Sequence, residues 1–269
     1  MPKFTALAVA SEPGSATPSE DWAAATAELI VVLDGATART ATGCSHGIAW
    51  YAERLGQSLV AGAASTTRPL AEVLRHAITT VAGMHPECDL MHPGTPSAGV
   101  GMLRSDGWYL VLGDVAIVAE TETGLQVIVD ERVSATAPAE RAEVDRHLIG
   151  TTEKAAALIP MKRAELAARN VEGGYWIAAA DPTAADHALT GTFALTRGAA
   201  VAVVTDGAAR GVDFGLMSWE KLLSVVDSDD GPAGLIQQVR AAERSDPLGA
   251  KWPRNKASDD ATGVAARVE

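Results

Sequence analysis

Acidic residues stand at the ends of apolar runs at distant places in this chain. Leu29-Ile-Val-Val-Leu-Asp-Gly-Ala-Thr37 passes through β-branched and apolar residues to Asp34, with Gly35 directly behind it. Tyr109-Leu-Val-Leu-Gly-Asp114 and Val201-Ala-Val-Val-Thr-Asp-Gly207 repeat the pattern. Ser258-Asp259-Asp260 opens the last apolar stretch, Ala261–Val268, and the pair Glu20-Asp21 precedes the first run. A carboxylate at the mouth of a buried strand is costly to place unless a cation or hydrogen-bond donors meet it. Gly35 lets the chain turn sharply and brings a bare backbone carbonyl close to whatever sits there. In an antiparallel sheet the end of one strand lies beside the start of its neighbour, so acids far apart in sequence can meet at one edge.

The elements that must position these acids can be read in outline. The run ending at Asp34 is apolar without alternation, as expected of a strand buried on both faces. Residues 3–10 read as a first strand, and Ser11–Ser19 as a Pro/Gly/Ser loop. Ser45 is placed to cap a helix whose Ile48, Ala52, Leu55, Leu59 and Ala63 share one face. A second helix starts near Pro69 and carries Leu70, Val73, Leu74, Ala77 and Val81. A β meander follows, with Ser97–Leu103 and Trp108–Leu112 joined by the hairpin signal Asp106-Gly107. Ala116–Ala119 and Leu125–Val129 are joined around Gly124. Residues 138–170 read as helical, with Thr152 as a cap and Pro138 and Pro160 as breaks. Thr192–Thr196 and Ala200–Thr205 read as a hairpin around Gly198, and two helices near 218–228 and 232–244 precede the last strand. Strands and helices grouped in this way, without βαβ alternation, predict an α+β fold of antiparallel sheets with helices outside.

Composition narrows the class. At 269 residues, 47% of them hydrophobic, the chain can build a sizeable core, and no linker divides it. Aromatics are only 4%, so Ala, Val and Leu must fill that core. A net charge of −12 argues against a nucleic-acid or anionic-membrane surface, and most of it reads as a solvated acidic surface. No run approaches the ~20 apolar residues that span a bilayer. Ala8-Val9-Ala10 resembles a signal-peptidase site, yet the apolar stretch before it is short, and a first strand is the expected reading. Two cysteines, Cys44 and Cys88, do not make a disulfide framework and read as free thiols of a reducing cytosol.

The order Glu20-Asp21, Asp34-Gly35, Gly113-Asp114, Thr205-Asp206-Gly207 and Asp259-Asp260-Ala-Thr262 resembles the type 2C family of metal-dependent protein phosphatases, and the resemblance covers nearly the whole chain. Gly94-Thr-Pro-Ser-Ala98 is similar to that family's Gly-Thr-Thr-Ala strand entry. The resemblance implies one domain over residues 1–269, an αββα four-layer sandwich with two antiparallel sheets flanked by helices. It implies two Mn²⁺ or Mg²⁺ ions. Asp34 would bridge both, and the Gly35 carbonyl would bind one. Asp206, Asp259 and Glu20 would hold the other, with Asp21 acting through water. Asp114 would serve a third ion. Hard divalent cations take oxygen ligands, and a water on such an ion can ionise near neutral pH and attack phosphorus. The implied activity is that of a cytoplasmic phosphatase, a hydrolase of phosphoserine or phosphothreonine in proteins or of a small phosphorylated metabolite. A silent regulatory module of the same fold is the competing class.

The chain departs from the family pattern at the phosphate. Where the family carries an Arg just before the acidic pair, Ala16-Thr17-Pro18-Ser19 offers none. Arg210 stands where the family keeps a second Asp four residues after Asp206, and could contact phosphate itself. His46, at a helix start, could bind substrate or donate a proton to the leaving group. His85, Cys88 and His92 have a spacing compatible with zinc, but no fourth ligand is evident and two prolines break the stretch.

Overall fold

A computed structural model describes residues 2–63 and 68–269. The chain enters through β1 (Phe4–Glu12), β2 (Trp22–Ala25) and β3 (Leu29–Gly35), then forms two helices, α1 (Ile48–Gly62) and α2 (Leu70–Ala82). The meander follows as β4 (Ala98–Arg104), β5 (Trp108–Leu112), β6 (Ala116–Thr121) and β7 (Gly124–Ile128). Next come α3 (Pro138–Asp145), α4 (Thr152–Ala167), a short 3₁₀ helix (Pro182–His187), β8 (Leu189–Thr192) and β9 (Ala200–Val204). The chain closes with α5 (Asp206–Asp213), α6 (Trp219–Val226), α7 (Gly231–Ser245) and β10 (Ala261–Val268).

The strands form two five-stranded sheets, β1-β10-β9-β6-β7 and β2-β3-β4-β5-β8, with every pair antiparallel. The unbroken apolar run of β3 is explained by its two faces. Leu29, Val31 and Leu33 pack beneath α1 and α2 with Leu55, Leu59, Leu74 and Ile78. Ile30 and Val32 point the other way, into the intersheet core with Val111, Ile117, Val203 and Val264. The outer face of the first sheet meets α5–α7 through Val118, Ala202, Val204, Leu222, Leu235 and Ile236. The result is the expected αββα layering of an α+β fold, with small apolar side chains filling three cores. A satellite pair, α3 and α4, carries its own cluster of Val144, Leu158 and Met161.

Several local expectations are corrected. Ser45 does not cap α1, because the chain swings through Gly47 at φ 83° and no side chain takes the cap. Thr151, one residue before the expected cap, accepts the Lys154 N–H at the start of α4. Pro160 sits inside α4 without ending it. The hairpin expected around Gly198 does not form. β8 ends at Thr192 and pairs with β5 in the second sheet, whereas β9 lies between β10 and β6 in the first. The connection 193–199 therefore crosses between sheets, anchored by Phe193 in the intersheet core. Among the described residues no helix is long and apolar enough to cross a membrane.

α1 can lie close over the second sheet because Gly56 faces the Trp22 ring, and a methyl at that position would overlap the ring. Gly56→Ala is expected to destabilise the protein by about 1–3 kcal/mol through overpacking, reversing the gain of about 1 kcal/mol that Ala brings to a helix interior. Urea unfolding of the two proteins measures the sign.

Candidate functional site

Antiparallel geometry delivers the acids to one end of the sandwich. β3 and β5 run in the same direction with β4 between them, so Asp34 and Asp114 emerge side by side. Gly99, paired with Asp34 across the β3–β4 ladder, leaves room for Asp114, whose Oδ1 would lie 3.2 Å from a methyl placed there. In the other sheet the end of β9 lies beside the start of β10, with Val204 opposite Gly263. Asp206 in the first turn of α5 and Asp259 just before β10 thus meet the first pair. The Asp206 N–H donates to Asp34 Oδ2 at 3.2 Å, linking the two sheets directly. Asp34, Gly35, Asp114, Asp206 and Asp259 line one cavity of about 160 Å³.

The acidic pair sits beside this group. Asp21 accepts from the Thr205 hydroxyl at 3.1 Å, and Glu20 Oε2 accepts from Thr37 at 2.7 Å. Gly35 packs on Glu20 so closely that an added methyl would stand 2.7 Å from Glu20 Cβ and 2.8 Å from Ile48 Cγ2. Asp260 is a clamp: its two oxygens accept the backbone N–H groups of Gly14 (2.8 Å) and Glu20 (2.7 Å). This holds the 14–20 loop, and with it the acidic pair, against the start of β10.

Burial pushes Asp206 up to about 8 and Asp21 to about 7, with neighbouring carboxylates adding to the rise. Burial, then the charges of Asp206, Asp21, Asp114 and Asp259, holds Asp34 well above the ordinary carboxylate range, and burial also raises Asp114. Among the described residues no Lys, Arg or His forms an ion pair with Asp21, Asp34, Asp114 or Asp206. An all-oxygen cluster of repelling carboxylates beside the Gly35 backbone fits hard divalent cations. Asp259 differs, because its Oδ2 accepts from Arg210 Nη2 at 2.7 Å and its Oδ1 is paired with Lys256.

Two expected substrate contacts are corrected. Arg210 is buried between Asp259 and Glu243 Oε1, which accepts its Nη1 at 2.6 Å, so both guanidinium ends are engaged inside the protein. Glu243 and Asp259 balance this buried cation. His46 does not line the acidic cavity. Its Nδ1 lies 3.5 Å from Cys44 Sγ and 3.4 Å from Cys88 Sγ, and His85 completes that group. His92, weighed with His85 and Cys88, stands apart and accepts the Gly94 N–H at 3.0 Å.

A cationic rim was not anticipated. Arg39, Arg141, Lys162 and Lys256 line the same cavity as the acids. Arg141 is paired with Glu165 at 2.8 Å, and Lys162 lies 3.6 Å from the same carboxylate. Burial pushes the Lys162 ammonium down against the pull of Glu165. Lys256 donates to Thr37 Oγ1 at 3.0 Å. Arg39 has no ion pair among the described residues and is half-buried at the cavity. The expected helical stretch 138–170 contains Arg141 and Lys162, but a helical pattern does not say which cavity its basic residues face, and Arg39 and Lys256 lie outside it. Two of the acids lining a larger groove of about 600 Å³ elsewhere are already engaged, Glu120 by the Ala200 N–H and Asp227 by Arg267.

No family model matches the sequence, and no curated protein matches it. Solved structures do match. The PPM Ser-Thr phosphatase MsPP from Mycobacterium smegmatis, in complex with cacodylate, superposes with a TM-score of 0.57 at 16% identity, over 98% of this chain and 99% of that one. The catalytic domain of the serine threonine protein phosphatase PstP, in complex with two manganese ions, gives 0.55 at 16% identity over 100% and 99%. PppA, a regulatory component of T6SS in Pseudomonas aeruginosa, gives 0.59 at 13% identity over 100% of both chains. At such identities the likeness speaks for architecture, and the architecture of this chain is the fold of the type 2C, PPM-family phosphatases.

Proposed function

We propose that this chain is a divalent-metal-dependent phosphomonoester hydrolase acting on phosphoserine or phosphothreonine in proteins, with residues 1–269 forming one catalytic domain in the cytoplasm. The observation that carries the reading is the convergence of Asp34, Asp114, Asp206 and Asp259 from both sheets in one cavity rimmed by Arg39, Lys162 and Lys256. Asp34, the Gly35 carbonyl and Asp206, with Glu20 and Asp21 beside them, would hold Mn²⁺ or Mg²⁺. Asp114 would serve a further ion, and Asp259 would join once released from a cation. Such ions would supply Lewis acidity and an activated water at the phosphorus. The protein's own part is positioning. The Asp206 N–H orients the Asp34 carboxylate, Asp260 fixes the acidic pair, and Thr37 steers both Glu20 and Lys256. Arg39, which forms no ion pair among the described residues, takes the outer phosphoryl oxygens, the role of the Arg missing before Glu20. A small phosphorylated metabolite is the alternative substrate of the same site.

A second reading is favoured by one observation: Asp259 is neutralised from both sides, by Arg210 and Lys256. A site held shut by internal cations would be a silent, regulatory relative of the phosphatases. The two readings part on a direct assay. Hydrolysis of p-nitrophenyl phosphate is expected to require Mn²⁺ or Mg²⁺, to stop in chelator, and to be abolished by Asp34→Asn. Full turnover in chelator would reject the mechanism, and no turnover with either ion would favour the silent module.

The rim makes a second expectation. Arg39→Ala should lower kcat/KM by about 10²-fold, the loss of roughly 2.7 kcal/mol of transition-state stabilisation from one contact. Arg210→Ala should instead act on the fold, costing less than the roughly 3–5 kcal/mol of a fully stranded buried charge, because Arg240 still holds Glu243 and Lys256 still holds Asp259. Steady-state kinetics and thermal melts separate the two.

The raised carboxylates set a pH dependence. A carboxyl whose folded pKa lies above its unfolded value binds more protons when folded, so stability falls as pH rises between the two values. Metal-free protein should therefore lose thermal stability from about pH 4 to about pH 8, the span from ordinary carboxylates to the value of Asp206. Saturating Mn²⁺ should flatten that slope. Melts across this range with and without Mn²⁺ provide the check.

A further inference from the structure

The second cluster of potential ligands lies outside the acidic cavity. Cys44 and His46 come from the irregular segment between β3 and α1, and His85 and Cys88 from the turn after α2. One ligand atom from each of the four lies within 4.8 Å of every other. Cys44 Sγ is 3.3 Å from His85 Nδ1, 3.5 Å from His46 Nδ1 and 3.3 Å from Cys88 Sγ, and Cys88 Sγ is 3.4 Å from His46 Nδ1. Tetrahedral zinc with bonds of about 2.3 Å to sulfur and about 2.0–2.1 Å to nitrogen separates its ligands by about 3.4–3.8 Å. Four of the six edges, at 3.3–3.5 Å, lie at or just below the short end of that range, and the other two are within 4.8 Å.

We propose that Cys44, His46, His85 and Cys88 bind one structural Zn²⁺ ion. The donor set selects the metal: two thiolates and two imidazoles suit zinc, whereas Mn²⁺ and Mg²⁺ prefer the oxygens of the acidic cavity. Binding releases the two thiol protons to solvent. Two thiolates, two neutral imidazoles and Zn²⁺ sum to zero charge, so the filled site leaves none uncompensated. Both imidazoles turn Nδ1 to the centre, and their rings are fixed from outside. Trp50 stacks on His46 at 4.2 Å and meets His85 edge-on at 4.5 Å. The His46 N–H reaches Cys44 Sγ at 3.4 Å, the kind of backbone donor that a thiolate accepts. Four protein ligands leave no open position, which marks the site as structural rather than catalytic.

The site closes a loop that regular structure does not hold. Between Gly35 and Ile48 the chain forms no helix or strand, yet it carries Thr37 and Arg39 to the acidic cavity. The Asp89 N–H to Gly43 carbonyl bond, at 2.9 Å, already ties the two segments beside the cluster. Zinc would fasten the same pair of segments at four more points.

The test is metal content. Full-length protein is produced under reducing conditions with zinc supplied, freed of loose metal by gel filtration, and analysed by mass spectrometry of the elements. The expected result is one zinc per chain, released when a mercurial titrates the thiols and retained in Asp34→Asn. Cys44→Ser and Cys88→Ser should each lose it. Cobalt loaded in place of zinc should show a thiolate-to-cobalt charge-transfer band and the visible bands of tetrahedral coordination, a readout on the unmutated protein. Wild-type protein without zinc, zinc kept by both cysteine variants, a cobalt spectrum lacking the thiolate band, or a Cys44–Cys88 disulfide in its place would each overturn the proposal.

Discussion

Everything at the candidate site depends on one electrostatic constraint: carboxylates from four chain segments are held together although they repel. Asp34, Asp114, Asp206 and Asp259 cannot be relaxed apart, because each is fixed at the end of a strand whose register is set by an apolar core. The three cores flanking the sheets supply the stabilisation against which this repulsion is spent. Such an arrangement persists where something positive completes it, and this chain uses two solutions. Asp259 is completed from within by Arg210 and Lys256, while Asp34, Asp114 and Asp206 remain open toward the cavity.

The internal solution is extended by Glu243. Arg210 bridges Asp259 and Glu243, and Glu243 also holds Arg240, whose other nitrogen donates to the Asp259 carbonyl at 2.6 Å. The four groups form a closed ring of alternating charge between α5, α7 and the start of β10. A charged network of this kind contributes little net stability against an apolar substitute, but losing one member leaves its neighbours buried with fewer partners. Arg210 is thereby a fixed part of the scaffold, with both ends of its guanidinium engaged inside the protein.

What was legible in the sequence was what local pattern encodes. The two-sided apolar run of β3, the Asp106-Gly107 turn and the final strand could be read from side-chain type alone, and the acids at their ends followed. What escaped reading is tertiary. β2 is four small or half-buried residues, and β8 is four residues of Leu, Thr and Gly, too short to show a period. Of the cationic rim, Arg141 and Lys162 stand on α3 and α4, which fold back over the cavity, whereas Arg39 and Lys256 come from irregular segments, and no local pattern says that the four share a cavity. Cys44 and His46 seemed unrelated to His85 and Cys88 because the α1–α2 hairpin that joins them is visible only once packed. His92 fits the spacing and is absent from the cluster. Arg210 could be placed by motif, but its partner Glu243 lies 33 residues on.

The pairing of β1 with β10 sets Phe4 opposite Val268, and the Asp260 clamp ties the loop after β1 to the same strand. In the order of synthesis, the site cannot be complete before β10 has been made. A ribosome delivers Asp34, Asp114 and Asp206 well before Asp259, and until β10 arrives the edges of β1 and β9 lie bare. Contacts spanning nearly the whole chain must close in one late step, the slow kind of closure. A chain synthesised only as far as α7 therefore carries Asp34, Asp114 and Asp206 but lacks Asp259 and the Asp260 clamp that hold the acidic cavity together.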